Sequence, residues 1–426
     1  MLDIRVIREN PDLARQRLAA RGRGDESAVD RLVETDAARR RAIAEVEALK
    51  NKRNSLSKEI GIRKSKGEPA DEILAGMKEL SDRVAELDRE LGVIEEAQRE
   101  ILLRVPNFPH EACPAGTSAA DNPEVGRWGE KPVFTFAPLD HTVLAERLGL
   151  IDFEAAAKIS GAGWLLYRGQ GARLERALIN FLLDHHTSKN GYVEVSPPFA
   201  VRGSSMVGTG QLPKFAEDMY AIRDEDLYLV PTAEVPVTNI HREEILPADR
   251  LPIRYAAYTP CFRREAGSAG RENRGMTRVH QFDKIELVKI VDPATSAAEL
   301  ESLRRDAEGV LELLGLHYRT IELCAGDLGF GAAKCYDIEV WAPGAGGYLE
   351  VSSCSNFYDF QARRMNLRYK GADGKNHFCH TLNGSGTALA RLFIALVETG
   401  QQADGSVVLP APLHPYFGGD RLVPVA

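Results

Sequence analysis

Among the 426 residues, the six cysteines at 113, 261, 324, 335, 354 and 379 form no CxxC pair and no zinc-knuckle spacing. That excludes a zinc ribbon, argues against a disulfide scaffold, and suits reduced thiols in a cytoplasmic protein. No stretch reaches ~18 uninterrupted apolar residues. The opening MLDIRVIREN is charged from residue 3 and has no apolar signal core, so neither membrane spanning nor secretion is expected. Positive charge is not in excess: 54 Lys+Arg stand against 62 Asp+Glu, a net charge of −8. A protein that coats a polyanion with its whole surface is thereby excluded. Aromatic residues are missing altogether from the first 104 positions, which are rich in Ala, Arg, Glu and Leu. Such a segment suits long helices better than a compact core.

The pattern in that segment agrees. Ile73, Met77, Leu80, Val84, Leu87, Leu91 and Ile94 recur at alternating spacings of four and three, a heptad seam that resumes at Ile101. A weaker register runs through Leu32, Thr35, Arg39, Ala42, Val46, Leu49, Arg53, Leu56 and Ile60. Gly61, Gly67 and Pro69 punctuate the chain between the two. The expected object is an antiparallel coiled-coil hairpin over about 28–102 with its tip near 61–68, and ~30 residues per arm give it a length of roughly 45 Å. Its charge is segregated. Residues 50–66 hold Lys50, Lys52, Arg53, Lys58, Arg63, Lys64 and Lys66 against Glu59, a balance of +6, and residues 71–100 balance at −6. Ion pairs between the facing helices would use this charge; so would phosphate contacts along the basic arm.

The Pro-rich stretch Val105–Pro114 marks a boundary, giving an N-terminal domain over 1–104 and a second over 105–426. A helix is expected from Gly171 to Asn190, and strands at Tyr192–Val195, Leu227–Val230, Ile253–Tyr258, Val279–Ile290, His317–Leu323, Cys335–Trp341 and Tyr348–Ser352. Further helices are expected at Ser296–Leu314 and Ser385–Glu398. Consecutive strands with helices grouped apart predict an α+β fold, a largely antiparallel sheet flanked by helices, rather than a doubly wound parallel sheet.

Three segments carry chemistry. In the first, a strand from Cys261 runs into a Gly-rich loop containing Arg263, Arg264, Arg271, Arg274 and Arg278 and returns as a strand. On the return Phe282, Lys284 and Glu286 share one face and Ile285 and Leu287 the other; Glu286 lies about 13 Å beyond Phe282 at ~3.3 Å per residue. In the second, Arg391 sits alone in the apolar run Ala388–Val397. A buried guanidinium needs an anion, either an internal carboxylate or a ligand phosphate. The preceding Gly384-Ser385-Gly386 is reminiscent of a phosphate loop but lacks the lysine of GxxxxGK[ST] and the third glycine of a dinucleotide fingerprint. The third is Glu350-Val351-Ser352-Ser353, an acid with hydroxyls that can hold Mg²⁺ with help from phosphates and water.

Together FRREAGSAGRENRG with HQFDKIE, EVSSCSN, and HTLNGSGTALAR with QQADG…PYFGG resemble motifs 2 and 3 of a class II aminoacyl-tRNA synthetase, closely those of the bacterial-type seryl-tRNA synthetase family. The resemblance covers essentially the whole chain. It implies that Arg263 meets the ATP α-phosphate and the amino-acid carboxylate, Glu265 contacts adenine, Phe282 stacks on it and Arg391 takes the γ-phosphate. Glu350 and Ser353 would hold Mg²⁺ and ATP, with Arg264, Val351 and Ser352 in the same ATP-binding segments. Strict alternation pairs Glu350 with Ser352, so a Glu350–Ser353 pairing requires the strand to end or bulge there. For serine the matching positions are Thr232, Ala233, Glu234, Arg263, Glu286, Asn383 and Ser385; a site built to bond the hydroxyl rejects alanine.

The resemblance further implies ATP and Mg²⁺ as substrate and cofactor, with no zinc. Its reaction is the activation of L-serine to seryl-adenylate, followed by transfer to the 3′ end of tRNA(Ser), extending to tRNA(Sec). No covalent enzyme intermediate is required, in keeping with the lack of a nucleophile constellation among Cys and His. Gly191–Pro198 matches motif 1, implying a homodimer with tRNA bound across subunits, the arm gripping it through Lys50, Lys52, Arg53, Lys58, Arg63 and Lys64. A ligase that loads a carrier protein would share the adenylation residues but leave the basic hairpin without a cause. One departure is clear: Arg264 stands where the family usually has Ser, and by alternation it points away from Arg263 and Glu265.

Overall fold

The computed structural model describes residues 1–266 and 275–425; Arg271, Asn273 and Arg274 lie outside the described residues. The chain forms two compact units, one of Leu2–Ala19 with Arg23–Pro106, the other of Met1, Ala20–Gly22 and Asn107–Ala426.

In the first unit, α1 (Ala28–Lys66) and α2 (Asp71–Arg104) are helices of 39 and 34 residues. Leu80, Val84 and Leu87 of one seam and Leu32, Val46 and Ile60 of the other are buried. Arg39, a charge in a seam position, is paired with Glu95 at 2.9 Å. The turn is later and tighter than the sequence suggested. Gly61 is helical, because one glycine among good helix formers costs only ~1 kcal/mol. The break comes at Gly67, whose φ of +74° closes α1. Its amide donates to the Lys64 carbonyl and the Glu68 amide to that of Arg63, the double bond of a Schellman cap. Pro69 precedes α2 rather than opening it.

The second unit is built on an eight-stranded sheet: β1 (Glu124–Trp128), β2 (Val193–Glu194), β3 (Ile253–Phe262), β4 (Gln281–Val291), β5 (Tyr318–Glu322), β6 (Lys334–Ala342), β7 (Gly347–Tyr358) and β8 (His380–Ala388). Their spatial order is β1-β5-β6-β7-β8-β4-β3-β2. All pairs are antiparallel except the short β2, which runs parallel to β3. The α+β expectation therefore holds.

Four helices matter for the site: α3 (His141–Arg147), α4 (Gln170–Ser188), α5 (Ser296–Leu313) and α6 (Leu389–Gly400). The last three bury Leu174, Leu178, Leu303, Val310, Phe393 and Leu396 in one cluster with Ile285, Leu287, Ile338, Val340 and Leu382 of the sheet. Along β4, Val288 and Ile290 instead join two small clusters with Val237 and Ala257, and with Ala362 and Leu367. Period-two alternation thus splits β4 as its sequence predicted.

Several elements differ from the sequence expectation: Leu227–Leu229 pairs with Ala200–Arg202 outside this sheet, β1 and β8 were not expected as strands, and one helix starts late. Ser385 does not begin a helix; it lies in β8, a central strand, and the helix starts at Leu389. The reason is the flanking glycines. A Cβ on Gly384 would meet Cys354 Sγ at 2.9 Å, and one on Gly386 would meet His186 Nε2 at 2.8 Å. They are present for close packing, not to cradle phosphate.

Candidate active site

A cavity of about 450 Å³ opens on the sheet. It gathers Thr232, Glu234, Arg263, Glu265, Phe282, Glu350, Val351, Ser353, Asn383, Ser385 and Arg391. Four expected residues stand outside its lining. Ala233 is fully buried. Ser352 is buried and donates to the Ser385 carbonyl at 2.6 Å, tying β7 to β8. Arg264 is exposed, with its amide donating to the Asp218 carbonyl at 3.0 Å; it lies outside the cavity lining as expected, but beyond the end of β3 at Phe262, so strand alternation is not the reason. Glu286 lies beneath the lining and organises it, as described below.

One end of the cavity is aromatic and basic. The Arg263 guanidinium carbon lies 5.2 Å from the Phe282 ring centroid, and Arg263 Nε donates to the Pro231 carbonyl at 3.3 Å. Glu265 holds a positive φ of +50° and accepts from Arg278 at 3.1 Å. A non-glycine residue in that region is uncommon and costly, and such residues cluster at functional sites.

Across from them, β7 carries an irregularity in its register with β6 between Glu350 and Ser352. The extra residue is Val351. Of the two alternatives a Glu350–Ser353 pairing left open, a strand end or a bulge, the structure has the bulge, and it puts Glu350 and Ser353 into one lining. Arg391 is not buried as its apolar surroundings suggested. Its side chain is 29% exposed, because it lies in the first turn of α6 where the helix meets the cavity. It donates to the Glu350 carbonyl at 2.8 Å, with the Glu350 carboxylate at 3.6 Å. The anion it required is thus partly internal.

The other end is polar and buried. Glu286, 1% exposed, accepts from Thr232 Oγ1 at 3.1 Å and from Asn383 Nδ2 at 2.9 Å. Lys284 Nζ meets its Oε2 at 2.5 Å. Glu234 accepts from Gln361 Nε2 at 2.6 Å, and Gln361 in turn accepts from Thr381. Burial, reinforced by the charge of Glu286, pushes the Glu234 carboxyl up to about 7. Asp337, opposite Ser353 on β6, is pushed up to about 8 by burial and then by Glu350. Lys284 and Gln361 were missed as site residues. Alternation placed Lys284 on the correct face, but nothing local marks Gln361, 127 positions from Glu234.

A buried polar pocket in one cavity with an arginine-lined, aromatic-walled cleft on an antiparallel sheet is the arrangement of a class II aminoacyl-tRNA synthetase core. The family description "tRNA synthetase class II core domain (G, H, P, S and T)" matches residues 218–400, and "Seryl-tRNA synthetase N-terminal domain" matches residues 1–109. The chain is 60% identical to the serine–tRNA ligase of Akkermansia muciniphila over 427 residues, covering 100% of this chain and 99% of that one. Among solved structures it resembles seryl-tRNA synthetase from Pyrococcus horikoshii complexed with ATP, with a TM-score of 0.93, 39% identity and full coverage of both chains. It also resembles the cytoplasmic serine-tRNA ligase of Naegleria fowleri in complex with AMP, with a TM-score of 0.88 at 30% identity, over 100% of this chain and 99% of that one. The chain belongs to the seryl-tRNA synthetase family, and its activity is that of the family, ATP-dependent ligation of serine to tRNA.

Proposed function

We propose that the cavity performs both half-reactions, with ATP in the Arg263–Phe282–Arg391 cleft and L-serine in the Thr232–Glu234–Glu286–Asn383–Ser385 pocket. What carries this reading is that both sets line or underlie one cavity, with Arg263 against Phe282 and close enough to Glu234 for its charge to act there. Serine's carboxylate is ionised at neutral pH and needs no general base. One of its oxygens forms a bond to the α-phosphorus while the α–β bridging bond breaks, and pyrophosphate leaves with that electron pair. Arg263 holds the carboxylate and α-phosphate together and offsets developing charge, and Arg391 does the same at the γ-phosphate. Phe282 and Glu265 fix adenine. In the second step a ribose hydroxyl at the tRNA 3′ end attacks the acyl carbon, its proton passes to the phosphate of the departing adenylate, and AMP leaves with the electron pair of the broken acyl–oxygen bond.

Glu350 and Ser353 offer a carboxylate and a hydroxyl in one lining. Among the described residues no group of three or more His, Cys, Asp or Glu gathers to hold a metal. Two protein ligands with the remainder from phosphate and water is what Mg²⁺ accepts, so these residues fit it. When bound it would neutralise phosphate charge.

Residues 1–104 form the tRNA-binding domain in this reading and 105–426 the catalytic one. Lys50 is paired with Asp88 across the two helices, and Arg63 with Glu59 within one helix. Among the described residues no ion pair engages Lys52, Arg53, Lys58 or Lys64, which are left for phosphates. A-form RNA closes its deep groove to side chains, so contact of this kind reads shape and backbone. The exposed Val193 on the short edge strand β2 and the nearby Phe199 support a homodimer through the 191–198 segment, with tRNA spanning subunits. The reading includes tRNA(Sec) beside tRNA(Ser), and a cytoplasmic location. The deciding experiment is serine-dependent ATP–pyrophosphate exchange followed by aminoacylation of purified tRNA(Ser), tRNA(Sec) and a carrier protein. Exchange with no transfer to tRNA would overturn the tRNA reading, and the absence of exchange would overturn the site.

A further inference from the structure

Glu398 is fully buried, seven residues beyond Arg391 on α6. Its Oε2 accepts from the amides of Gly344 and Ala345 at 2.8 and 3.1 Å. Its Oε1 accepts from the amide of His141 at 2.9 Å and faces that residue's ring Nδ1 at 3.1 Å. The first three donors keep Glu398 an acceptor, so Nδ1 carries the imidazole proton. That leaves Nε2 with a lone pair. Nε2 lies 3.3 Å from the backbone nitrogen of Met276, whose N–H donates to it.

The fit around this contact is tight. Gly275 has a φ of +66°, and a Cβ there would collide with His141 Nε2 and with Thr142 Cγ2. Met276 is 1% exposed, and with Thr277 and Arg278 it forms part of the cavity wall beside Phe282. Arg278 in turn holds Glu265. The arrangement links Arg391 to the opposite wall: α6 presents Arg391 at its start, and through Glu398 and His141 the same helix sets where the 275–278 backbone lies.

We propose that His141 is a positioning residue for ATP, a buried imidazole held in one tautomer by Glu398 so that its free nitrogen fixes the Met276 amide and the nucleotide-binding wall that follows. The inference rests on the assignment of this cavity to ATP and serine, and concerns only the nucleotide half. Among the described residues, the hydrogen bonds of His141 run to Glu398 and Met276 and not to Thr232, Glu234 or β8.

Serine-dependent ATP–pyrophosphate exchange tests it with two variants. His141→Asn keeps an N–H for Glu398 but offers nothing at the Nε2 position, and loss of that one hydrogen bond is expected to raise the KM for ATP about tenfold with the KM for serine nearly unchanged. His141→Gln carries an amide oxygen to the Nε2 position and is expected to recover most of the ATP affinity. An unchanged ATP KM in the Asn variant, equal losses in both variants, or an equal rise in the serine KM would overturn the proposal. In the unaltered enzyme, ¹⁵N shifts of His141 should report the Nδ1-protonated ring, and an Nε2-protonated ring would overturn it without any variant having to fold. If the unaltered enzyme shows no exchange, the ATP assignment itself fails, which is a separate outcome.

Discussion

Glu350 and Ser353 lie three residues apart on β7 and line the same cavity, because the register with β6 slips by one residue at Val351. In a regular strand they would face opposite sides of the sheet. A bulge breaks ladder hydrogen bonds, and such features are common beside active sites, where they re-aim a side chain.

If this pair holds Mg²⁺, Glu350→Gln should raise the Mg²⁺ concentration for half-maximal exchange by roughly tenfold or more, since a carboxylate ligand is removed. Ser353→Ala should act in the same direction and more weakly. Titrating exchange rate against Mg²⁺ decides it; a variant whose Mg²⁺ curve is unmoved removes that residue from the set.

The raised carboxyl of Glu234 makes serine binding depend on pH. A serine ammonium favours the ionised form, so the group must lose its proton to bind. Below about 7 the KM for serine should climb, approaching tenfold per pH unit, and above it should level off. The stability sign is opposite. Between the ordinary glutamate value near 4.5 and about 7, the folded apoprotein keeps a proton that the unfolded chain has released. This contribution to stability is complete below 4.5 and is lost as pH rises through 7. Glu234→Gln should therefore raise the apo melting temperature at pH 8 while abolishing tight serine binding; a lowered melting temperature there would contradict the assignment.

Lys284 and Glu286 form a buried pair with side-chain exposures of 8% and 1%. Removing one partner strands the other charge, so Lys284→Met should cost about 3–5 kcal/mol in denaturant unfolding of the catalytic unit. Because Glu286 also holds Thr232 and Asn383, the KM for serine should rise as well. A stable variant with normal serine affinity would show that the pair does not organise the pocket.

On the arm, neutralising Lys52, Arg53, Lys58 and Lys64 together should weaken tRNA binding and flatten its salt dependence, the slope falling by ~0.7–0.9 for each phosphate no longer neutralised. Serine-dependent exchange should be untouched. Lys50→Ala should have the smaller effect, since Asp88 already engages that lysine. An equal fall in exchange would mean the arm is not a separate RNA-binding element.

Much of this was legible in the chain itself. Period-seven and period-two patterns located the coiled coil and assigned Phe282, Lys284 and Glu286 to one face of β4, because side-chain direction in a regular helix or strand follows from local geometry. The motif residues Arg263, Glu265, Glu350 and Arg391 were legible in another way, through the resemblance of their short segments to a known family. That the strand must end or bulge between Glu350 and Ser353, if the two act together, could also be stated in advance. Four things could not. The glycines of β8 look like a loop until Cys354 and His186 are seen packed against them. Arg391 looks buried until its helix is seen to begin at the cavity. Gln361 and Lys284 acquire meaning only from Glu234 and Glu286 beside them. His141, Met276 and Glu398 are strung over more than 250 residues and meet only in the tertiary structure. Sequence determined which groups face a common side, since that depends on backbone period; tertiary structure alone decided which of them share a proton, a charge or a hydrogen bond, since those forces act over a few ångströms and are blind to distance along the chain.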